Sequence, residues 1–291
     1  MSASKSHNFL LIGLPSTGKT SFLAALWYDI QQKQSPTALV LKKLDGDNAY
    51  LNKIRTAWLA YKPVGRNQTD TETFVSMWLK RRDGEEEVHL TFPDVSGESF
   101  KQQWTSRQLA ASYDKCLRSA NGGILFIHPN SIVLPLRIAE VDDLAALIDP
   151  EVAKEAAQPA TVASPPTPWD KEKAPTQVQL VELLQFLMRR PHFQPPFRLA
   201  IAISAWDLVA ASKVDPENWI TQQLPLLSQF LSANRKSFEV AFYGVSAQGG
   251  EYGGDDIAAL HDKIPARRIE IVGNGVKNPH DITEPLLWLM R

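Results

Sequence analysis

The sequence predicts an α/β domain built around a largely parallel sheet, and three features carry that expectation. Short apolar runs without helical period alternate with segments of helical spacing: Phe9-Leu10-Leu11-Ile12, Gly122-Gly123-Ile124-Leu125-Phe126-Ile127, Phe197 to Ser204 and Phe238 to Val245. Strands of a parallel sheet read as continuous apolar runs because helices cover both faces. The glycine-bearing segment Gly13 to Thr20 follows the first run at once and leads into Ser21 to Lys33, rich in Leu, Ala and Gln. Asp83-Gly84 then separates two strand-like runs, Phe74 to Arg82 and Glu86 to Phe92, a strong short-range hairpin signal.

The remaining elements follow in order. Leu39 to Leu44 fits a short strand, and Asn48 to Tyr61 a helix with Leu51, Ile54, Trp58 and Leu59 on one stripe. Val64 to Glu72 is polar and loop-like. One helix is expected over Phe100 to Ser119 and a short amphipathic one over Leu136 to Ile148. Residues 150–175 are dominated by Pro, Ala, Thr and charged residues, too poor in apolar surface to offset ordering, so a flexible insertion is expected there. Trp169 is its odd residue, a docking anchor or a side chain packed on the parent surface. Helices are expected at Thr176 to Arg190, at Pro216 to Asn234 with an interruption or kink near Pro225, and at Asp281 to Met290 with Pro285 in the first turn. Ile269 to Val272 fits a short strand. The insertion lies between two strands of one alternation, so residues 1–291 read as a single domain.

Composition excludes several function classes. The 291 residues carry 31 Lys and Arg against 32 Asp and Glu, a formal net charge of −1, so no whole-chain bias points to nucleic acid or anionic lipid. The single cysteine, Cys116, allows no internal disulfide and fits a reducing compartment as a small apolar residue. No apolar run approaches the ~18–20 residues a bilayer span needs. Met1 to Asn8 is short and polar, so no signal peptide is expected and a cytoplasmic location is. The six histidines show no metal-ligand spacing among themselves or with Cys116.

Chemistry concentrates in Gly13-Leu14-Pro15-Ser16-Thr17-Gly18-Lys19-Thr20, which fits G-x-x-x-x-G-K-[ST] at every fixed position and stands between a strand and a helix. In such a loop successive backbone N–H groups point inward as an anion nest, here from Ser16 to Thr20 and on to Ser21, since Pro15 has none. Gly18 lets the backbone approach a phosphate, Lys19 sets a point charge on the β- and γ-phosphates, Thr20 offers a hydroxyl to Mg²⁺, and the helix N-terminus adds partial positive charge. A second informative stretch, Asp94-Val95-Ser96-Gly97-Glu98, ends the hairpin. Asp94 there suits a carboxylate behind Mg²⁺, and Gly97 completes a D-x-x-G form whose glycine N–H meets a γ-phosphate; alone, Asp94 also suits a turn cap.

These pieces resemble, in order, the motifs of the small-GTPase side of the phosphate-loop proteins, the translation-factor-related (TRAFAC) class. Ser204-Ala205-Trp206-Asp207 falls where that class has N/T-K-x-D, and Ser246-Ala247-Gln248 where it has S-A-K. The resemblance spans Phe9 to about Gln248. It implies a P-loop NTPase of the Ras-like GTPase kind: a three-layer α/β sandwich, mostly parallel with one antiparallel strand, binding GTP or GDP with Mg²⁺. It implies that Asp207 accepts two hydrogen bonds from guanine, with Ser246 and Ala247 in the base loop and the Ala247 N–H meeting guanine O6. The lysine that packs along the base is Ala205 here, Trp206 offers either an aromatic face in its place or strand-end packing, and Gln248 replaces the second lysine. The switch threonine on Mg²⁺ is Thr69, Thr71 or Thr73, with Thr71 favoured by its distance to Asp94. Arg66 is an internal arginine finger or a solvated loop residue. Glu98 stands where many members carry a water-orienting glutamine; its carboxylate accepts from the water but repels the γ-phosphate, so slow hydrolysis is expected. His280 to Leu289, and Trp206 beside Asp207, resemble more narrowly the paired double-GTPase proteins of prokaryotic conflict systems, which implies a second GTPase or another protein effector as partner. The alternatives are an ATPase of another phosphate-loop class and a non-catalytic, nucleotide-dependent adaptor.

Overall fold

Apolar runs bounded by glycine and turn residues become the strands of one sheet. The computed structural model describes residues 6–32, 37–45, 48–62, 74–93, 103–109, 111–135, 170–250 and 260–291. In chain order the elements are β1 (Ser6–Ile12), α1 (Lys19–Gln31), β2 (Leu39–Asp45), α2 (Ala49–Leu59), β3 (Phe74–Arg81), β4 (Glu87–Pro93), α3 (Ala111–Ser119) and β5 (Gly122–Ile127). They continue with α4 (Thr176–Met188), β6 (Phe197–Ser204), α5 (Pro216–Gln223), α6 (Pro225–Ala233), β7 (Phe238–Ser246), β8 (Glu270–Gly273) and α7 (Glu284–Leu289).

Among the described residues eight strands lie in the order β2-β3-β4-β1-β5-β6-β7-β8. β1 pairs parallel with β4 and β5, and the parallel run continues through β6 to β7. β3 is antiparallel to β2 and β4, as the hairpin predicts. The sheet is mostly parallel as expected, and β8, antiparallel to β7, adds a second reversed strand at the far edge. Register sets Ile12 beside Leu125, Ile127 beside Ile203 and Ser204 beside Val245, so the carboxyl ends of β1, β5, β6 and β7 line one rim. In open α/β sheets that rim is where ligands bind.

Two buried clusters fill the layers on either side. On one face Phe9, Leu11, Ile124, Phe126 and Tyr243 pack against α1, α2 and α7. On the other, Leu10, Ile12, Leu125, Ile201 and Ile203 pack against α3 to α6. Alternate residues of β1 thus feed opposite layers, the period-two rule at work. Helix α1 is apolar almost all round, from Phe22 to Ile30, because α2 covers its outer side with Leu51, Ile54 and Trp58.

Two elements depart from expectation. The single helix foreseen over Phe100 to Ser119 is broken: a helical turn over 103–106 ends where Arg107 takes φ 61°, and α3 begins at Ala111. Of the interruption or kink expected near Pro225, the structure shows the interruption, with Leu224 at φ −134° between α5 and α6. Of the insertion foreseen over residues 150–175, 170–175 carry a 3-10 turn at Lys171–Lys173 whose Lys171 carbonyl accepts from Trp104 Nε1 at 2.7 Å, with Ala174 fully buried. Residues 150–169, Trp169 among them, and the helix foreseen over Leu136 to Ile148 lie outside the described residues. Cys116 is half-buried against the α3–α6 layer.

Candidate nucleotide site

The loop between β1 and α1 is bent into a nest by its own backbone. Gly13 leaves the strand at φ 154°, Ser16 takes φ 58° and Gly18 takes φ 83°, positive-φ residues interspersed with ordinary ones as in anion-binding nests. A left-handed serine is uncommon, and such positions cluster at functional sites. Room is as tight as the dihedrals. A Cβ on Gly13 would fall 2.7 Å from Thr17 Oγ1 and 2.8 Å from the Phe126 carbonyl oxygen, and one on Gly18 would fall 2.7 Å from Ser204 Cβ.

The charge in the cradle is Lys19. Its Nζ donates to the carbonyl oxygens of Gly13 and Leu14, each at 2.6 Å, and to Thr17 Oγ1 at 3.3 Å. Thr17 Oγ1 in turn donates to the Leu14 carbonyl at 2.9 Å. The ammonium is therefore held over the nest by the loop itself. Lys19, Thr20 and Ser21 form the first turn of α1, whose N-cap Gly18 supplies no side-chain cap and whose first turn holds no acidic residue. The lack of a side-chain cap from Gly18 and the partial positive charge of a 13-residue helix suit that end to an anion. The donor set fits a Mg²⁺-bound phosphate chain: N–H groups and Lys19 for the phosphates, and the half-buried Thr20 for the metal.

Along the rim, Ser204 closes β6 beneath Gly18 and donates from Oγ to the Ile127 carbonyl at 3.3 Å. Ala205 takes a left-handed turn at φ 47°, and the 3-10 turn Trp206–Leu208 follows. Trp206 is buried and lies on β7: a Cβ on Gly244 would meet its ring at 2.2 Å. It packs at the strand end and offers no face to a base, which settles that alternative. Asp207 is half-buried, and one carboxylate oxygen accepts from Ser246 Oγ at 2.5 Å. Ser246 Oγ also accepts from the Gly249 N–H at 3.2 Å. Ser246 and Ala247 are both buried, so the sequence-predicted base residues meet at the ends of β6 and β7.

His128, at the end of β5, carries no motif that marks it in the sequence. With Leu14, Pro15, Thr17, Phe126 and Ser131 it lines a recess of about 270 Å³ beside the loop. Burial depresses its pKa, against the opposing pull of the nearby Asp207 charge. Trp58 reads in the sequence only as part of an amphipathic stripe, yet its Nε1 donates to the Ala247 carbonyl at 3.0 Å. Arg66, Thr69, Thr71, Thr73, Asp94, Gly97 and Glu98 lie outside the described residues.

A strand, anion nest and helix on a mostly parallel sheet, with an acidic side chain two strand ends away, define a phosphate-loop protein of the GTPase kind. A model of the Double-GTPase 1 family matches residues 10–289, and the chain belongs to that family. No described helix is long and apolar enough to cross a membrane. Among solved structures it is similar to the Saccharomyces cerevisiae Ski7 GTPase-like domain bound to GTP, at 13% identity and TM-score 0.42, covering 98% of this chain and 49% of that one. The chain thus spans about half the length of that relative. It is also similar to a single-residue variant of Aquifex aeolicus Era bound to GDP and AlF4−, at 13% identity and TM-score 0.33 over 95% of this chain and 60% of that one. A third likeness is to nucleolar GTP-binding protein 1 of Plasmodium falciparum, at 11% identity and TM-score 0.35 over 87% and 82%. The comparison with curated proteins gave no match.

Proposed function

We propose that the chain is a guanine-nucleotide switch that binds GTP with Mg²⁺, hydrolyses it slowly and signals its state to a protein partner, a second GTPase being the candidate the family resemblance suggests. The observation that carries this reading is the linkage along one rim. Gly18 of the nest rests on Ser204, and Asp207, three residues on, is tied to Ser246. In this reading that linkage joins the phosphate cradle to the base loop.

In this reading the N–H groups of residues 16–21 and the Lys19 ammonium grip the β- and γ-phosphates. Binding trades the loop carbonyls now bonded to Nζ for phosphate oxygens, or shares the ammonium between them. Asp207 accepts from guanine N1 and N2 with the oxygens that Ser246 leaves available, and the Ala247 N–H donates to O6. Thr20, Thr71 and Asp94 would hold Mg²⁺, which when bound neutralises developing charge on the phosphates. Glu98 accepts a hydrogen bond from the attacking water. The water oxygen bonds to the γ-phosphorus, the bond to the β,γ-bridging oxygen breaks, and GDP and inorganic phosphate leave. Loss of the γ-phosphate releases the Gly97 N–H and the segment around Thr71, the order–disorder device of such switches. The chain's composition suits work in the cytoplasm.

Calorimetric titration with GTP and Mg²⁺ tests the loop assignment. Lys19→Ala should lower affinity at least 100-fold, and unchanged affinity refutes it. Single-turnover hydrolysis by the wild type should exceed the uncatalysed rate; a rate equal to it would make the chain a nucleotide-dependent adaptor.

A further inference from the structure

The base loop of this chain lacks the lysine its position calls for, and the structure shows what stands there. Gln248 is buried, and its amide Nε2 donates to the Trp58 carbonyl at 3.3 Å, turned into the α2 layer. Trp58, 1% exposed, returns a bond from its indole Nε1 to the Ala247 carbonyl at 3.0 Å. Two reciprocal bonds thus join the end of α2 to residues 247 and 248. The opposite side of the loop is held by Ser246 Oγ, bonded to Asp207 and to the Gly249 N–H.

Arg268 backs this arrangement. Its guanidinium lies 4.3 Å from the Tyr61 ring centroid and 5.8 Å from that of Trp58, buried to 6% exposure. Among the described residues its Nε and Nη1 have no hydrogen-bond partner, so the ring faces are what it is packed on. Its main chain touches Gly249 so closely that a Cβ there would fall 2.7 Å from the Arg268 carbonyl oxygen. A buried, desolvated cation held on two rings fixes the indole plane, and the indole fixes the Ala247 carbonyl.

We infer that Trp58 is a positioning residue for base specificity: by holding the Ala247 carbonyl it fixes the 247–248 peptide and through it the Ala247 main chain, whose N–H, in the adjoining 246–247 peptide, meets the purine 6-oxygen, a duty a loop lysine does not perform here. This rests on the reading that Asp207 and Ala247 meet the base. Removing the indole N–H leaves a buried carbonyl unpaired and frees the peptide to tilt. Only recognition of the 6-position suffers, since Asp207 continues to read N1 and N2.

The test measures binding of GTP, ITP and 2-aminopurine riboside triphosphate, each with Mg²⁺, to wild type, Trp58→Phe, Gln248→Leu and Asp207→Ala. ITP keeps the 6-oxygen and the N1 hydrogen and lacks the 2-amino group; the aminopurine keeps the amino group and lacks both the oxygen and the N1 hydrogen, so each variant is compared with wild type on the same nucleotide. Trp58→Phe should weaken binding of GTP and ITP about tenfold and stay within twofold for the aminopurine. Gln248→Leu, a milder change for folding, should show the same pattern at about threefold. Equal weakening on all three nucleotides, or none on any, overturns the inference. If Asp207→Ala leaves the preference for GTP over ITP unchanged, the base reading itself falls and the inference with it; if that preference falls while both loop variants match wild type, only the role of Trp58 is refuted.

Discussion

Gly18 concentrates two physical costs at one atom, and a double-mutant cycle can separate them. The residue holds φ 83° and ψ 5° as the N-cap of α1, a left-handed conformation that costs an L residue roughly 1–2 kcal/mol. A Cβ there would also lie 2.7 Å from Ser204 Cβ and 2.9 Å from its Oγ. Relieving such a clash by moving a strand end costs about 1–3 kcal/mol. Gly18→Ala should therefore destabilise the nucleotide-free protein by about 2–5 kcal/mol. Ser204→Gly removes both obstructing atoms at the expense of one long hydrogen bond to the Ile127 carbonyl and the entropy of a strand glycine, about 1–2 kcal/mol together. Urea unfolding of wild type, both single variants and the double variant yields the coupling. The double variant should be about 1–3 kcal/mol more stable than the sum of the singles predicts, because the steric part is gone and the dihedral part remains. Additivity within about 0.5 kcal/mol would show that nest and rim do not touch, and the linkage on which the proposed site depends would be refuted.

Gly244→Ala should destabilise by about 1–3 kcal/mol, since its Cβ would lie 2.2 Å from the Trp206 ring; a neutral change in urea unfolding would put Trp206 elsewhere. Asp281, which accepts from the Ala38 and Thr283 N–H groups and from Thr283 Oγ1, has its pKa raised by burial. The folded chain therefore holds that proton more tightly than the unfolded chain does. The increment is full below the ordinary carboxylate pKa and is lost as pH rises through the folded value. Wild type should lose stability relative to Asp281→Asn over that rise, and a difference independent of pH would contradict the assignment.

Much of the fold is legible because its signals are local. Apolar runs closed by glycine mark the inner strands, and Asp83-Gly84 marks the hairpin. The nest can be read because a phosphate cradle needs glycine and lysine at set intervals. Asp207 and Ser246 can be placed because each follows a buried strand. Legibility fails where tertiary context decides. The break before α3 depends on Arg107 adopting φ 61°, which its residue type does not announce. Trp206 has two readings, and only the parallel pairing of β6 with β7 sets Gly244 under its ring. Trp58 sits at helical spacing with Leu51 and Ile54, so periodicity assigns it to the core; its bond to Ala247 spans 189 residues of sequence. Arg268 lies in a short 3-10 turn with no period at all.

If the rim from Gly13 to Ser246 binds a guanine nucleotide through Asp207, competition of GTP, ATP and XTP for wild type and Asp207→Asn reveals it. Xanthine carries a 2-oxo acceptor where guanine carries an amino donor, so an amide at position 207 matches xanthine while still accepting from Ser246. Wild type should prefer GTP over both rivals, and Asp207→Asn should prefer XTP. Equal binding of GTP and ATP by the wild type, or an unchanged preference for GTP in the variant, would contradict the account.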